Sequence, residues 1–108
     1  MHSEQQLPIP NNNASCHDCV TADLVRAGKY HMAADIQKRR EIGIQRYGTP
    51  LQPHNHRDMT RDAYEEILDF VVYVKGCVLE GKQEWEPIYE DALSLLIQTG
   101  KLMLRNSL

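Results

Sequence analysis

Two adjacent glutamates and an aspartate, Glu65, Glu66 and Asp69, stand in the run RDAYEEILDFVVYVKG, just before and inside an apolar stretch. Carboxylates so arranged could hold a hard divalent cation, which prefers oxygen ligands, or serve as a general base. Asp62, Glu66, Asp69 and Tyr73 follow i, i+4, i+7, i+11 spacing, which aligns them on one edge of a helix, and Glu65 projects within roughly 40° of Asp69. Like charges at this spacing repel, by about 0.3 kcal/mol when exposed and more when desolvated. A solvated acidic edge, neutralised by Arg57 and Arg61 one turn upstream, is the simpler reading. The sharper one adds Asp91, at the margin of the apolar stripe in YEDALSLL. If Glu66 and Asp69 flank the apolar face of their own helix, two helices packed by those faces would bring Glu66, Asp69 and Asp91 together. Carboxylate metal sites in helical bundles are built this way, and an all-oxygen set suits Mg²⁺ or Mn²⁺.

The elements that must carry these groups read as helices. Residues 1–20 form a polar, Asn-rich and Pro-containing segment, expected to be flexible because it has few apolar side chains to offset the entropy of ordering. Residues 21–108 are expected to make one all-α domain. Its first helical stretch starts at Thr21 as N-cap, is interrupted at Gly28, and stops at Gly48, with Met32, Ala33, Ile36, Gly43, Ile44 and Tyr47 at helical spacing. TPLQPHNHRD must be a loop, since its prolines cannot continue a helical ladder. The next helix runs from an Asp58 cap to about Leu79, with Met59, Ala63, Ile67, Phe70, Val71, Val74, Cys77 and Val78 on one stripe and Val72 nearly opposite. A further helix has Pro87 near its start and reaches about Leu104. It carries one stripe of Ile88, Ala92, Leu95, Thr99, Leu102 and Met103 and a second of Leu93, Ile97 and Leu104. Two apolar faces on one helix require two packing partners, so a helical bundle completed by oligomerisation, as dimer or tetramer, is expected.

Composition narrows the function classes. The chain has 108 residues, 42% hydrophobic and 25% charged, with a formal net charge of -3; this fits one small domain with a thin core. Scattered Lys and Arg give no broad basic footprint, which disfavours nucleic acid as a partner. No apolar run approaches the roughly 18 residues that span a bilayer, and the N-terminus has no signal-peptide pattern, so no membrane partner and a cytoplasmic location are expected. Three cysteines make an odd count and argue against a disulfide framework.

With EEILD on one helix and IYED, Ile88 to Asp91, on a later one, the sequence resembles the all-α nucleoside triphosphate pyrophosphohydrolase superfamily, the MazG-like and dimeric dUTPase-like proteins. Their signature is a Glu-Glu-x-x-Glu/Asp motif followed on a later helix by Glu-x-x-Asp, both binding Mg²⁺. The segment RYGTPLQPHNHRD is similar to the loop before the acidic helix in short phage and actinobacterial members, and the resemblance covers roughly residues 30–104. It implies hydrolysis of a nucleoside triphosphate between the α and β phosphates, giving a monophosphate and pyrophosphate. Glu65, Glu66, Asp69 and Asp91 would hold Mg²⁺ (or Mn²⁺), with Glu65, Glu66 and Asp69 as the catalytic carboxylates and Glu65 orienting or deprotonating water. Arg57, Arg61 and Lys75 would meet phosphate charge, and Asn55 and Tyr47 are candidates for the nucleotide. Tyr47 has packing, and Asn55 turn formation, as the competing role. Ile88 stands where the family has Glu, leaving Glu90, Glu86 or Glu41 as replacements. In an alternative registration Glu66 and Asp69 form the second motif and Glu41 belongs to the first. Base and sugar preference are not legible.

Two weaker signals complete the reading. CHDC, Cys16 to Cys19, has C-x-x-C spacing that admits zinc or redox chemistry, though a structural zinc site lacks its other ligands unless His31 or Cys77 is recruited; an ordinary N-terminal turn is the main reading. Trp85 is expected to pack the connection before the last helix or to make a subunit contact, rather than to stack on a substrate. The competing function is a non-catalytic helical binding or regulatory module that dimerises through its surplus apolar face, for which Ile88 in place of Glu is the best support.

Overall fold

The computed structural model describes residues 4–107. Four α-helices and one short 3₁₀ turn are present, with no strand among the described residues: α1 (Cys16–Arg26), α2 (Tyr30–Tyr47), α3 (Met59–Leu79), the turn Gln83–Trp85 and α4 (Glu86–Ser107). The fold class is all-α, as the periodicity requires. Contacts group the chain into two compact units, Gln5–Arg57 and the part from Asp58 onward.

In the first unit α1 and α2 pair. Helix α1 starts five residues before the Thr21 cap that the sequence suggested. The cap is Ser15, whose hydroxyl accepts from the Asp18 N–H at 3.2 Å. Thr21 is instead inside the helix, where its hydroxyl donates to the His17 carbonyl at 2.8 Å and accepts from Gln37 Nε2 at 2.8 Å. Gln37 also donates to Asp18 at 3.0 Å, so the seam between α1 and α2 is partly polar, with Ala33 buried. The expected break falls at Gly28 and the expected stop at Gly48. Gly48 adopts φ 78°, a left-handed conformation that glycine enters without Cβ strain, and its N–H closes on Ile44 O at 2.8 Å.

The second unit is an α3–α4 helical hairpin. Asp58 caps α3, accepting from the Arg61 N–H at 3.2 Å and from the Thr60 hydroxyl at 2.6 Å. The Thr60 hydroxyl, then the Arg61 amide, hold the Asp58 carboxyl below its usual range. The buried side of α3 is centred on Val71 and Val74, the latter 1% exposed. Phe70 and Ala63, assigned to the core stripe from periodicity, are exposed, because the packed face is rotated away from them; Val72 is exposed as expected. On α4 the packed side runs through Tyr89, Ala92, Leu96, Gly100 and Met103. It lies between the two stripes read from sequence, so Ile88, Leu95 and Leu102 are left exposed to one side and Ile97 and Leu104 to the other. Gly100 lies against Tyr64: a Cβ there would sit 3.8 Å from the ring and from the hydroxyl. Trp85, in the 3₁₀ turn, belongs to a segment that touches both helices, but is itself exposed.

Candidate functional site

The candidate residues divide between the two units. Tyr47, Asn55 and Arg57 belong to the first, and Arg61, Glu65, Glu66, Asp69, Lys75 and Asp91 to the second.

On α3, Glu65 is the least open of the acidic candidates, its side chain 22% exposed, and it pairs with Arg61 Nε at 3.5 Å one turn earlier. Glu66 and Asp69 are exposed. At 100° per residue Asp69 lies roughly 170°, and Glu66 roughly 110°, from the midpoint of Val71 and Val74. The sequence reading placed both beside the core margin; the rotation that exposes Phe70 carries Asp69 to the far side of the helix. Asp91 immediately precedes Ala92, which is 1% exposed, and is itself exposed. One residue is a turn of about 100°, which directs Asp91 away from the packed side of α4. Packing α3 on α4 therefore does not bring Glu66, Asp69 and Asp91 together within the hairpin. Among the described residues no group of three or more His, Cys, Asp or Glu side chains stands close enough to hold a metal ion. The proposed substitutes for the residue at Ile88 are exposed too: Glu86 and Glu90 on α4, and Glu41, whose carboxylate pairs with Arg40 at 2.9 Å.

Lys75, a candidate for phosphate charge, lies with its ammonium 4.6 Å from the centre of the Tyr89 ring, a cation–π contact that ties α3 to α4. Arg61 is largely exposed.

The other candidates sit in a different kind of environment. Residues 49–57 are irregular but heavily hydrogen-bonded to residues 6–13. Gln52, buried, donates from Nε2 to the carbonyls of Asn11 and Asn13, both at 2.8 Å, and accepts from the Asn11 N–H at 3.1 Å. Asn11 Nδ2 donates to Pro53 O at 2.9 Å and His54 O at 3.1 Å, and Ile9 N–H to Asn55 O at 3.0 Å. Arg57 donates to Gln6 O at 2.7 Å, and Gln6 to His56 O at 3.0 Å. Asn55 is 2% exposed; its Oδ1 accepts from the Arg57 N–H at 3.1 Å, the local turn that was its competing role, while its Nδ2 is buried with no hydrogen-bond partner. His54 and His56 have φ of 57° and 70°, a region that costs a side-chain-bearing residue strain. The first part of the expected flexible segment is thus a clasp around the loop, and its last residues are the first turns of α1.

Sequence reasoning missed Ser15, Asn11 and Gln52. For Ser15 the signal existed: Ser15-x-x-Asp18 is a helix-start pattern. The Asn11–Gln52 pairing spans about forty residues and has no local signature.

At the start of α1, His17 Nδ1 is buried without a hydrogen-bond partner, and burial, then the nearby Arg40 guanidinium, push its pKa down. Arg40 Nε lies 3.3 Å from the Asp18 carboxylate. Cys16, Cys19 and Cys77 are free thiols.

No helix among the described residues is long and apolar enough to cross a membrane. No family model matches the sequence, and no curated protein or solved structure is significantly similar to it.

Proposed function

We propose that the chain is a member of the MazG-like pyrophosphohydrolases that cleaves nucleoside or deoxynucleoside triphosphates to monophosphate and pyrophosphate, with Mg²⁺ (or Mn²⁺) as cofactor, in a self-associated form. The observation that carries this reading is the acidic run on α3: Glu65 is half-buried and held by Arg61, while Glu66 and Asp69 are exposed on the same helix. As placed in one chain, these carboxylates and Asp91 do not compose a complete ion site. The residues of the chain would act in binding: Arg61 supplies positive charge beside the acidic run, and Glu65, oriented by Arg61, is the carboxylate suited to accept a proton from water. Self-association finds support in the apolar surface of the hairpin, where Val72 is 72% and Tyr73 75% exposed and Ile97 and Leu104 stand open on α4.

The test is pyrophosphate release from each canonical ribo- and deoxyribonucleoside triphosphate with Mg²⁺ or Mn²⁺. Turnover that Asp69→Ala abolishes is expected; absence of turnover with every nucleotide and both metals overturns the proposal.

A second reading, a non-catalytic helical module that dimerises through its apolar face, is favoured by the absence of a metal-holding group among the described residues. It predicts a melting temperature that neither Mg²⁺ nor Mn²⁺ raises, because a site that binds only the folded state stabilises it as ligand exceeds the dissociation constant.

A further inference from the structure

The CHDC sequence, Cys16 to Cys19, occupies the first turn of α1, directly after the Ser15 cap. The described residues gather no third ligand around it for a metal ion. What remains is a pair of free thiols three residues apart on one helical turn, Cys19 exposed and Cys16 half-buried. At helical rise and radius, positions i and i+3 have Cα atoms about 5 Å apart, inside the range that a disulfide spans. Their Cβ atoms, about 5–6 Å apart in a regular helix, must approach by a further ångström or more, so closing the bond requires the first turn to tighten.

We propose that Cys16 and Cys19 form a thiol–disulfide exchange site that reacts with small-molecule disulfides and whose oxidation loosens the clasp between residues 6–13 and the loop 49–57. The exposed Cys19 thiolate attacks one sulfur of the small disulfide, forming a mixed disulfide at Cys19 and releasing one thiolate. Cys16 loses its proton to solvent and its thiolate attacks Cys19 Sγ, forming the Cys16–Cys19 bond and releasing the second thiolate. Two cysteine thiols are oxidised and one small disulfide is reduced to two thiols, so electrons and protons balance. The order of attack follows access: burial, then the charge of Cys19, pushes the Cys16 thiol up, which suits it to the second step, when it is delivered intramolecularly.

The link to the clasp runs through the loop at Leu51. Cys16 donates its backbone N–H to Leu51 O at 2.8 Å, and Leu51 is the neighbour of Gln52, which binds Asn11 and Asn13. Ser15 Oγ accepts from Asp18 N–H within the same turn. Tightening the Cys16–Cys19 turn strains both the cap and the Leu51 bond.

The experiment equilibrates the full chain with glutathione and glutathione disulfide over a range of ratios, alkylates remaining thiols, digests with trypsin and maps the adducts by mass spectrometry. No Lys or Arg precedes Arg26, so Cys16 and Cys19 share one tryptic peptide, and Cys77 lies in another. Expected is a form of the first peptide that carries no adduct and is lighter by two hydrogens, while the Cys77 peptide remains alkylated; Cys77→Ser retains this behaviour and Cys19→Ser loses it. In the oxidised chain the Cys16 amide should exchange hydrogen about tenfold faster, the equivalent of losing its bond to Leu51. Only mixed disulfides at Cys19, only intermolecular bridges, or unoxidised thiols at the most oxidising ratio would each overturn the site. Unchanged amide exchange in the oxidised chain would overturn its coupling to the clasp.

Discussion

The clasp in the first unit and the acidic edge of α3 in the second treat polar groups in opposite ways. In the clasp, Gln52 is taken out of water and answered: it is buried and makes three hydrogen bonds to Asn11 and Asn13, although the Asn55 Nδ2 nearby is buried without a partner. On α3, Glu66 and Asp69 stay exposed, and the electrostatic cost of placing them near each other is small because water screens it. Most buried polar groups are retained with a partner, whereas exposed ones keep their contact with water. The clasp therefore reads as architecture and the acidic edge as a solvated surface.

Breaking the clasp should give the largest effect. Gln52→Ala leaves the carbonyls of Asn11 and Asn13 and the Asn11 N–H without their partner and should cost about 3 kcal/mol in urea-induced unfolding. An effect within experimental error would mean that the clasp is not a structural unit. In the hairpin, where the buried apolar residues are Val71, Val74 and Ala92, Val74→Ala should cost about 2 kcal/mol, mostly as lost apolar contact around a residue that is 1% exposed. Ser15→Ala removes the cap of α1 and should cost about 1 kcal/mol in the same assay. These values rank the clasp above the hairpin core; the reverse order would dissolve the comparison.

Smaller effects sharpen it. Gly43 and Gly76 lie within helices and a Cβ at either meets nothing within 4 Å, so Gly43→Ala and Gly76→Ala should each raise stability by about 0.7 kcal/mol in thermal unfolding. The smallest concerns His17, whose pKa burial and Arg40 lower in the fold. The unfolded chain then binds a proton that the folded chain resists, so the stability contribution of neutral His17 is complete above the ordinary pKa of 6.5 and is lost as pH falls from there through the lowered folded value. Stability measured across that window should fall less steeply with acid in His17→Gln than in the parent chain.

Local chemistry explains why some elements were readable and others not. The Asp58 cap, the Gly28 break, the Gly48 stop and the extent of α3 all follow from side chains acting within a few residues of themselves. The start of α1 is also local, marked by Ser15-x-x-Asp18, but the Asn-rich run before it has the composition of disorder and hides that pattern. The order of residues 6–13 was beyond reach for another reason: their partners lie in the loop 49–57, and nothing in an asparagine announces which distant carbonyl it will bind.

For the candidate site, the sequence by itself determined that Glu65, Glu66 and Asp69 share one helix and that Asp91 lies on another, because helical period and capping are properties of neighbouring residues. Only the tertiary structure decided which sector of each helix is buried. On α3 it is the side of Val71 and Val74, and on α4 a face between the two apolar stripes, so Asp69 and Asp91 are carried away from the packed surfaces. The physical reason is that a helix with a wide apolar arc can bury several overlapping sectors at similar cost, and side-chain packing against the neighbouring helix selects among them.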